Sequence, residues 1–183
     1  MSKLCLSPYS GIDLVSAYAA LQELSLDEFL AGTDREDPEI DVDDIFAGTF
    51  DDALRDYLVD SGFKDTSHFP HRAPLGRSDG DIVYLNAVDV DLVTSHGIAA
   101  WSTKAGCLVG LYTGCTLAVD PEFRGIGIGT NLVKLRFLCN EELPLWYLDE
   151  ASFSNAGLSV HQGAYEELCD MAELHSKEHL ASS

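Results

Sequence analysis

Arg124-Gly125-Ile126-Gly127-Ile128-Gly129-Thr130 is the stretch of this sequence whose residue types and spacing could hold a ligand. It follows an apolar run, Thr116-Leu117-Ala118-Val119, and a turn, Asp120-Pro121-Glu122-Phe123. It opens an amphipathic run from Asn131 to Leu138. The order is strand, glycine-rich turn, helix. Glycine lets a backbone approach a ligand because no Cβ stands in the way. A helix start adds unpaired N–H groups and the positive end of the helix dipole. The chemistry this pattern suits is phosphate binding without a cationic side chain. The competing reading is a tight strand-to-helix turn with no ligand, with Arg124 as an exposed charge upon it.

Two well-known phosphate loops fit poorly. A P-loop ends in Gly-Lys-Ser/Thr, whereas Gly129 is followed by Thr130 and Asn131. The dinucleotide fingerprint needs a wider glycine gap near the start of a βαβ unit. The run Val119-Asp120-Pro121-Glu122-Phe123-Arg124-Gly125-Ile126-Gly127-Ile128-Gly129, continued by Leu132-Val133, instead resembles the acetyl-CoA loop of the GNAT-type N-acetyltransferase superfamily. That loop reads Val-x-Pro-x-x-Arg/Gln-Gly-x-Gly-x-Gly/Ala before an apolar helix. Pro144-Leu145-Trp146-Tyr147-Leu148-Asp149-Glu150-Ala151-Ser152 is similar to the next strand of that family, and Asn155 falls where its Asn opens a helix. The resemblance spans about Gly97 to Asn155.

The resemblance implies acetyl transfer from acetyl-CoA to a primary amine. Leu117, Ala118 and Val119 would meet the pantetheine arm. Arg124, Gly125, Ile126, Gly127, Ile128, Gly129 and Thr130 would hold the pyrophosphate, and Asn155 would touch the cofactor near its thioester. The family's proton donor to the leaving thiolate is a Tyr in the last helix. Tyr165-Glu166-Glu167-Leu168 resembles its tetrapeptide but comes late, and His161 is a substitute donor. Glu150 or Asp149, or His96, would deprotonate the amine, although ordered water serves in several members. The final two strands usual in the family have no counterpart here. The N-terminal half, or a second copy in a homodimer, would then complete the acceptor wall.

Composition narrows the rest. A chain of 183 residues with 46% hydrophobic residues can bury a sizeable core in a single domain. No apolar run approaches a membrane span. Met1-Ser2-Lys3-Leu4-Cys5-Leu6 carries no long apolar signal core, so a cytoplasmic protein is expected. Cys5, Cys107, Cys115, Cys139 and Cys169 are scattered, with no zinc-type pairing, and read mostly as small buried hydrophobes. Acidic residues number 31 against 11 basic, a formal net charge of −20. Such a surface repels nucleic acid and attracts amines or basic protein tails. It keeps alive a second reading, a binding module on an acetyltransferase scaffold that docks a basic partner. A DNA-mimicking inhibitor ranks below both, because no phosphate-like spacing of the acids is evident.

The elements that must position the loop follow from periodicity. Gly11–Leu30 and Phe50–Ser61 read as helical, with an acidic loop between them. Lys64–Gly80, with Pro70, Pro74, Gly76, His68 and His71, reads as a long irregular connection. Asp81–Asn86, Gly97–Ser102, Cys107–Tyr112 and Cys115–Val119 read as strands whose short connections favour antiparallel neighbours. A helix to about Asn140 then leads to the strand Leu145–Leu148, a connection that suits a parallel crossover. Asn155 to about Lys177 reads as a closing helix. The expected fold class is α/β (α+β): a mixed, mostly antiparallel central sheet with a splayed parallel strand pair and helices on both faces. Residues 1–80 form a divergent acidic, helix-rich part, and residues 81–183 a cofactor-binding core.

Overall fold

A computed structural model describes residues 3–22, 52, 73–78, 81–86, 97–113, 116–140 and 155–181. Their elements, in chain order, are β1 (Cys5–Leu6), α1 (Leu14–Gln22), β2 (Pro74–Ser78), β3 (Ile82–Asn86), β4 (Gly97–Ser102), β5 (Cys107–Thr113), β6 (Thr116–Val119), a 3₁₀ turn (Pro121–Phe123), α2 (Ile128–Asn140) and α3 (Asn155–Ala181). The strands form one six-stranded sheet in sequential order. Every neighbouring pair is antiparallel. The strand expected at Leu145–Leu148, and with it the parallel pair, lies outside the described residues. So do the helix at Phe50–Ser61 except Asp52, and Glu150, Asp149, His96, His68 and His71.

Alternation assigns the faces. Ile82 and Tyr84 of β3, Ile98 and Ala100 of β4, and Tyr112 of β5 share a cluster with Ile128, Leu132 and Leu135 of α2. Val83, Leu85, Ala99, Leu108 and Leu111 form the opposite face, joined by Trp101 and Ala118. Among the described residues that second face gathers only strand side chains. The three described helices belong to the first face and the layer above it. A β-bulge between Ala100 and Trp101 shifts the β4–β5 register, so Val109 joins the cluster under α2 as well.

Helix α2 is the hub. Its residues from Asn131 to Leu135 are all buried, as are Phe137 and Leu138. A helix buried on nearly every side cannot follow a simple amphipathic stripe. One side rests on the sheet at Gly110, where an added Cβ would come within 3.1 Å of Ile128 Cγ2 and of Leu132 Cδ1. Another side meets α1, where Phe137 and Leu138 pack with Ala17, Tyr18 and Leu21. Helix α3 completes the layer with a buried row, Leu158, His161, Ala164 and Leu168. Several polar groups carried into this interior are partnered. Asn131 Nδ2 donates to Tyr84 Oη at 3.0 Å, and Tyr84 Oη bonds Ser78 Oγ at 2.8 Å. Lys134, 2% exposed, pairs with Glu167 of α3.

Three elements differ from the sequence reading, the first being the strand β1, which has no counterpart in it. Pro74–Ser78 is a strand rather than part of an irregular connection. Proline is tolerated there as the first residue of a strand. Gly76 is required because a Cβ would stand 2.9 Å from the carbonyl oxygen of Cys5 on β1. The residues that made this segment look like a loop are thus those that let two strands pair closely. The first helix starts at Leu14 instead of Gly11, with Asp13 as its cap. Asp13 Oδ1 accepts from the backbone N–H groups of Val15 and Ser16.

Candidate anion-binding site

The loop between β6 and α2 is built by a chain of local bonds. Asp120 N–H donates to Val109 O at 3.0 Å, closing the β5–β6 ladder. The Asp120 carboxylate accepts from Glu122 N–H at 2.9 Å and caps the 3₁₀ turn, with Pro121 at its first position. Arg124 resumes extended backbone, and its Nε donates to Val119 O at 3.0 Å. That bond holds the guanidinium beside the end of β6, with its remaining donors at an exposed position.

Gly125 and Gly127 then take positive φ angles of 79° and 87°. These left-handed residues flank Ile126 and reverse the chain into α2, whose first described helical bond runs from Asn131 N–H to Gly127 O at 3.0 Å. The backbone N–H groups from Gly125 to Thr130 have no acceptor among the described residues. They are the orphan donors of a helix start, reinforced by the turn before it. A polyanion would find there a set of main-chain donors, the dipole of a 13-residue helix, and the Arg124 guanidinium. The described half of the site therefore fits a diphosphate.

The individual loop residues divide into different duties. Ile128 is 1% exposed and packs into the core, so only its main chain is open to a ligand. Gly129 faces α3: a Cβ there would stand 3.3 Å from Val160 Cγ1. A side chain there would press on Val160, so the small residue suits helix packing as well as ligand approach. Leu117 and Val119 of β6 pack toward the cluster under α2, while Ala118 belongs to the opposite face. Ile126 is 43% exposed. Asn155 is the first residue of α3, the helix whose early turns lie beside Gly129.

The two described candidates for proton transfer both lie on α3. His161 is 4% exposed. Its Nδ1 lies 2.7 Å from Gly157 O. A carbonyl can only accept, so Nδ1 carries the proton and Nε2 accepts from Tyr112 Oη at 2.8 Å. The rings meet edge to face with centroids 5.6 Å apart, and the Arg136 guanidinium carbon lies 4.9 Å from the Tyr112 ring centroid. Burial pushes the imidazole down to about 4, with a smaller push from Arg136, against the pull of the Gly157 bond. At neutral pH it is an uncharged imidazole with both nitrogens engaged, and no proton is free to leave Nε2.

Tyr165 packs between α1 and α3 in the cluster of Tyr18, Leu21 and Leu168. It follows Val160, the neighbour of Gly129, by about 7.5 Å along the helix and roughly 140° around it. Burial, and then the neighbouring Cys169, push its phenol up. The structure thus joins Arg124–Thr130, Val119 and the first turns of α3, with His161 bonded to Tyr112 and Gly157 and Tyr165 packed toward α1.

Cys107, Cys139 and Cys169 are partly buried, whereas Cys5 is exposed. Among the described residues no three His, Cys, Asp or Glu side chains converge as a metal site, and no helix is long and apolar enough to cross a membrane. Comparison of the chain with protein-family models, with curated proteins and with solved structures finds no match.

Proposed function

We propose that this protein is an acetyl-CoA-dependent N-acetyltransferase of GNAT type, acting on a primary amine. One observation carries the reading: a pair of left-handed glycines, Gly125 and Gly127, turns six successive N–H groups, from Gly125 to Thr130, away from every described protein acceptor at the start of a buried helix. The antiparallel sheet that delivers β6 to that turn is compatible with the same reading.

In this proposal the Gly125–Thr130 amides and Arg124 hold the pyrophosphate, Leu117–Val119 line the pantetheine arm, and Asn155 stands near its reactive end. Acetyl-CoA supplies the activated thioester when bound. The acceptor must lose a proton to become nucleophilic, and Glu150 or ordered water takes it. Tyr165 and His161 serve packing and anchoring. Calorimetric titration with acetyl-CoA tests the reading, with binding expected in the micromolar range and lost in Gly127→Glu. Absence of any heat or thermal stabilisation at millimolar coenzyme overturns it.

A second reading has one observation in its favour. His161 has both ring nitrogens engaged and Tyr165 packs among α1 and α3 side chains, which suits a scaffold that retains the coenzyme and transfers nothing, with its acidic surface docking a basic protein. Acetylated product from any member of an amine panel eliminates that reading.

A further inference from the structure

Beside the loop lies a cavity of about 440 Å³, within the range of about 300–1,000 Å³ usual for small-molecule sites. Phe123 and Ile126 of the loop form one wall, Asp81 and Ile82 at the start of β3 another, and Ser102 and Lys104 of the β4–β5 hairpin the third. Ile126 belongs to both features: its main chain is part of the donor loop and its side chain lines the cavity. A ligand seated on the loop amides would have this cavity within immediate reach.

The walls are tied together without any ligand. Thr103 N–H and Oγ1 both donate to Asp81 O, at 2.8 and 2.9 Å. Ala105 N–H donates to the buried Ser102 Oγ at 3.1 Å, and Gly106, at φ 70°, closes the hairpin. A preformed wall costs a ligand little ordering entropy. The lining offers an aromatic ring and two branched aliphatic side chains for a flat heterocycle. At the rim it presents one ammonium, Lys104, which forms no salt bridge among the described residues, and one carboxylate, Asp81. Cations are scarce in this chain, 11 among 183 residues, so an ammonium unclaimed by any described acid beside an anion loop is informative.

We propose that this cavity receives the 3′-phosphoadenosine end of the coenzyme and that Lys104 reads its 3′-phosphate. The inference rests on the coenzyme reading above. The purine lies against Phe123, Ile126 and Ile82. The Asp81 carboxylate accepts from the exocyclic amine and repels phosphate, so the phosphate turns toward Lys104. The residue determines specificity, and takes no part in acyl transfer.

The test is calorimetric titration of the full-length protein and of Lys104→Ala with coenzyme A and with 3′-dephospho-coenzyme A. Lys104 is solvent-exposed on a turn, and its loss leaves the fold intact, which circular dichroism verifies. The wild type is expected to bind coenzyme A about fivefold tighter than the dephospho form, the scale of one exposed charge contact. In Lys104→Ala the two affinities are expected to converge. Equal affinities in the wild type, or a preference that survives in Lys104→Ala, overturn the proposal and leave the coenzyme reading standing. Failure of the wild type to bind either compound overturns the coenzyme reading itself, and this proposal with it.

Discussion

His161 on α3 and Tyr112 on β5 meet at 2.8 Å across 49 residues of sequence, ring edge to ring face. The contact bolts the last helix to the middle of the sheet, and it makes stability depend on pH. The unfolded imidazole titrates near 6.5, whereas burial pushes the folded one down to about 4. Between those values the unfolded chain binds the extra proton. Stability is therefore full above pH 6.5 and falls as pH drops toward 4, by on the order of 3 kcal/mol for this group. Urea midpoints measured from pH 7 to 5 should fall in the wild type. In His161→Gln, which cannot titrate, they should change much less over the same range.

Gly125 and Gly110 should separate backbone strain from crowding. A Cβ at Gly125 meets nothing within 4 Å, but the residue sits at φ 79°. Gly125→Ala should cost about 1 kcal/mol through conformation alone. At Gly110, φ is ordinary, and a Cβ would press on Ile128 and Leu132 at 3.1 Å. Gly110→Ala should cost about 1–3 kcal/mol by forcing α2 off the sheet. Denaturant unfolding of the two variants checks both figures.

Lys134 and Glu167 make an asymmetric pair, 2% and 31% exposed. Removing the carboxylate strands an ammonium in the interior, while removing both charges does not. Glu167→Gln should destabilise by about 2 kcal/mol, below the usual cost for a wholly buried pair because water reaches the carboxylate. Lys134→Met with Glu167→Gln should restore stability to within about 1 kcal/mol of wild type, as measured by thermal unfolding.

Tyr165 lies in the α1–α3 seam with its ring among Tyr18, Leu21 and Leu168. Tyr165→Phe keeps that ring and removes only the hydroxyl. If the proposed acetyl transfer is measured, kcat should stay within about twofold of wild type. A hundredfold loss would restore the phenol as proton donor.

The legible part of this molecule was its punctuation. Gly97–Ser102 and Cys107–Thr113 announce themselves by apolar runs around a short turn, and α2 by the glycines that precede it. The β2 strand was hidden because Pro74 and Gly76 are loop formers whose use here depends on a partner, β1, about 70 positions away. The loop residues of the candidate site were readable because they are contiguous. The duty of Gly129 was not, since Val160 decides it from another helix. The pairing of Tyr112 with His161 is likewise set by the packing of α3 on the sheet, and no local pattern encodes it. Lys104 shares a cavity with Phe123 only through the fold, and the 19 positions that separate them carry no local pattern that pairs them.

Helix α2 is enclosed by the sheet, α1 and α3 along nearly its whole length. Its interior amides can therefore trade protons with solvent only when the whole assembly opens, not by fraying turn by turn. Whatever anion settles at its first turn should slow isotope exchange at the far end of the helix as strongly as at the near end, so occupancy of one small loop is recorded across the core.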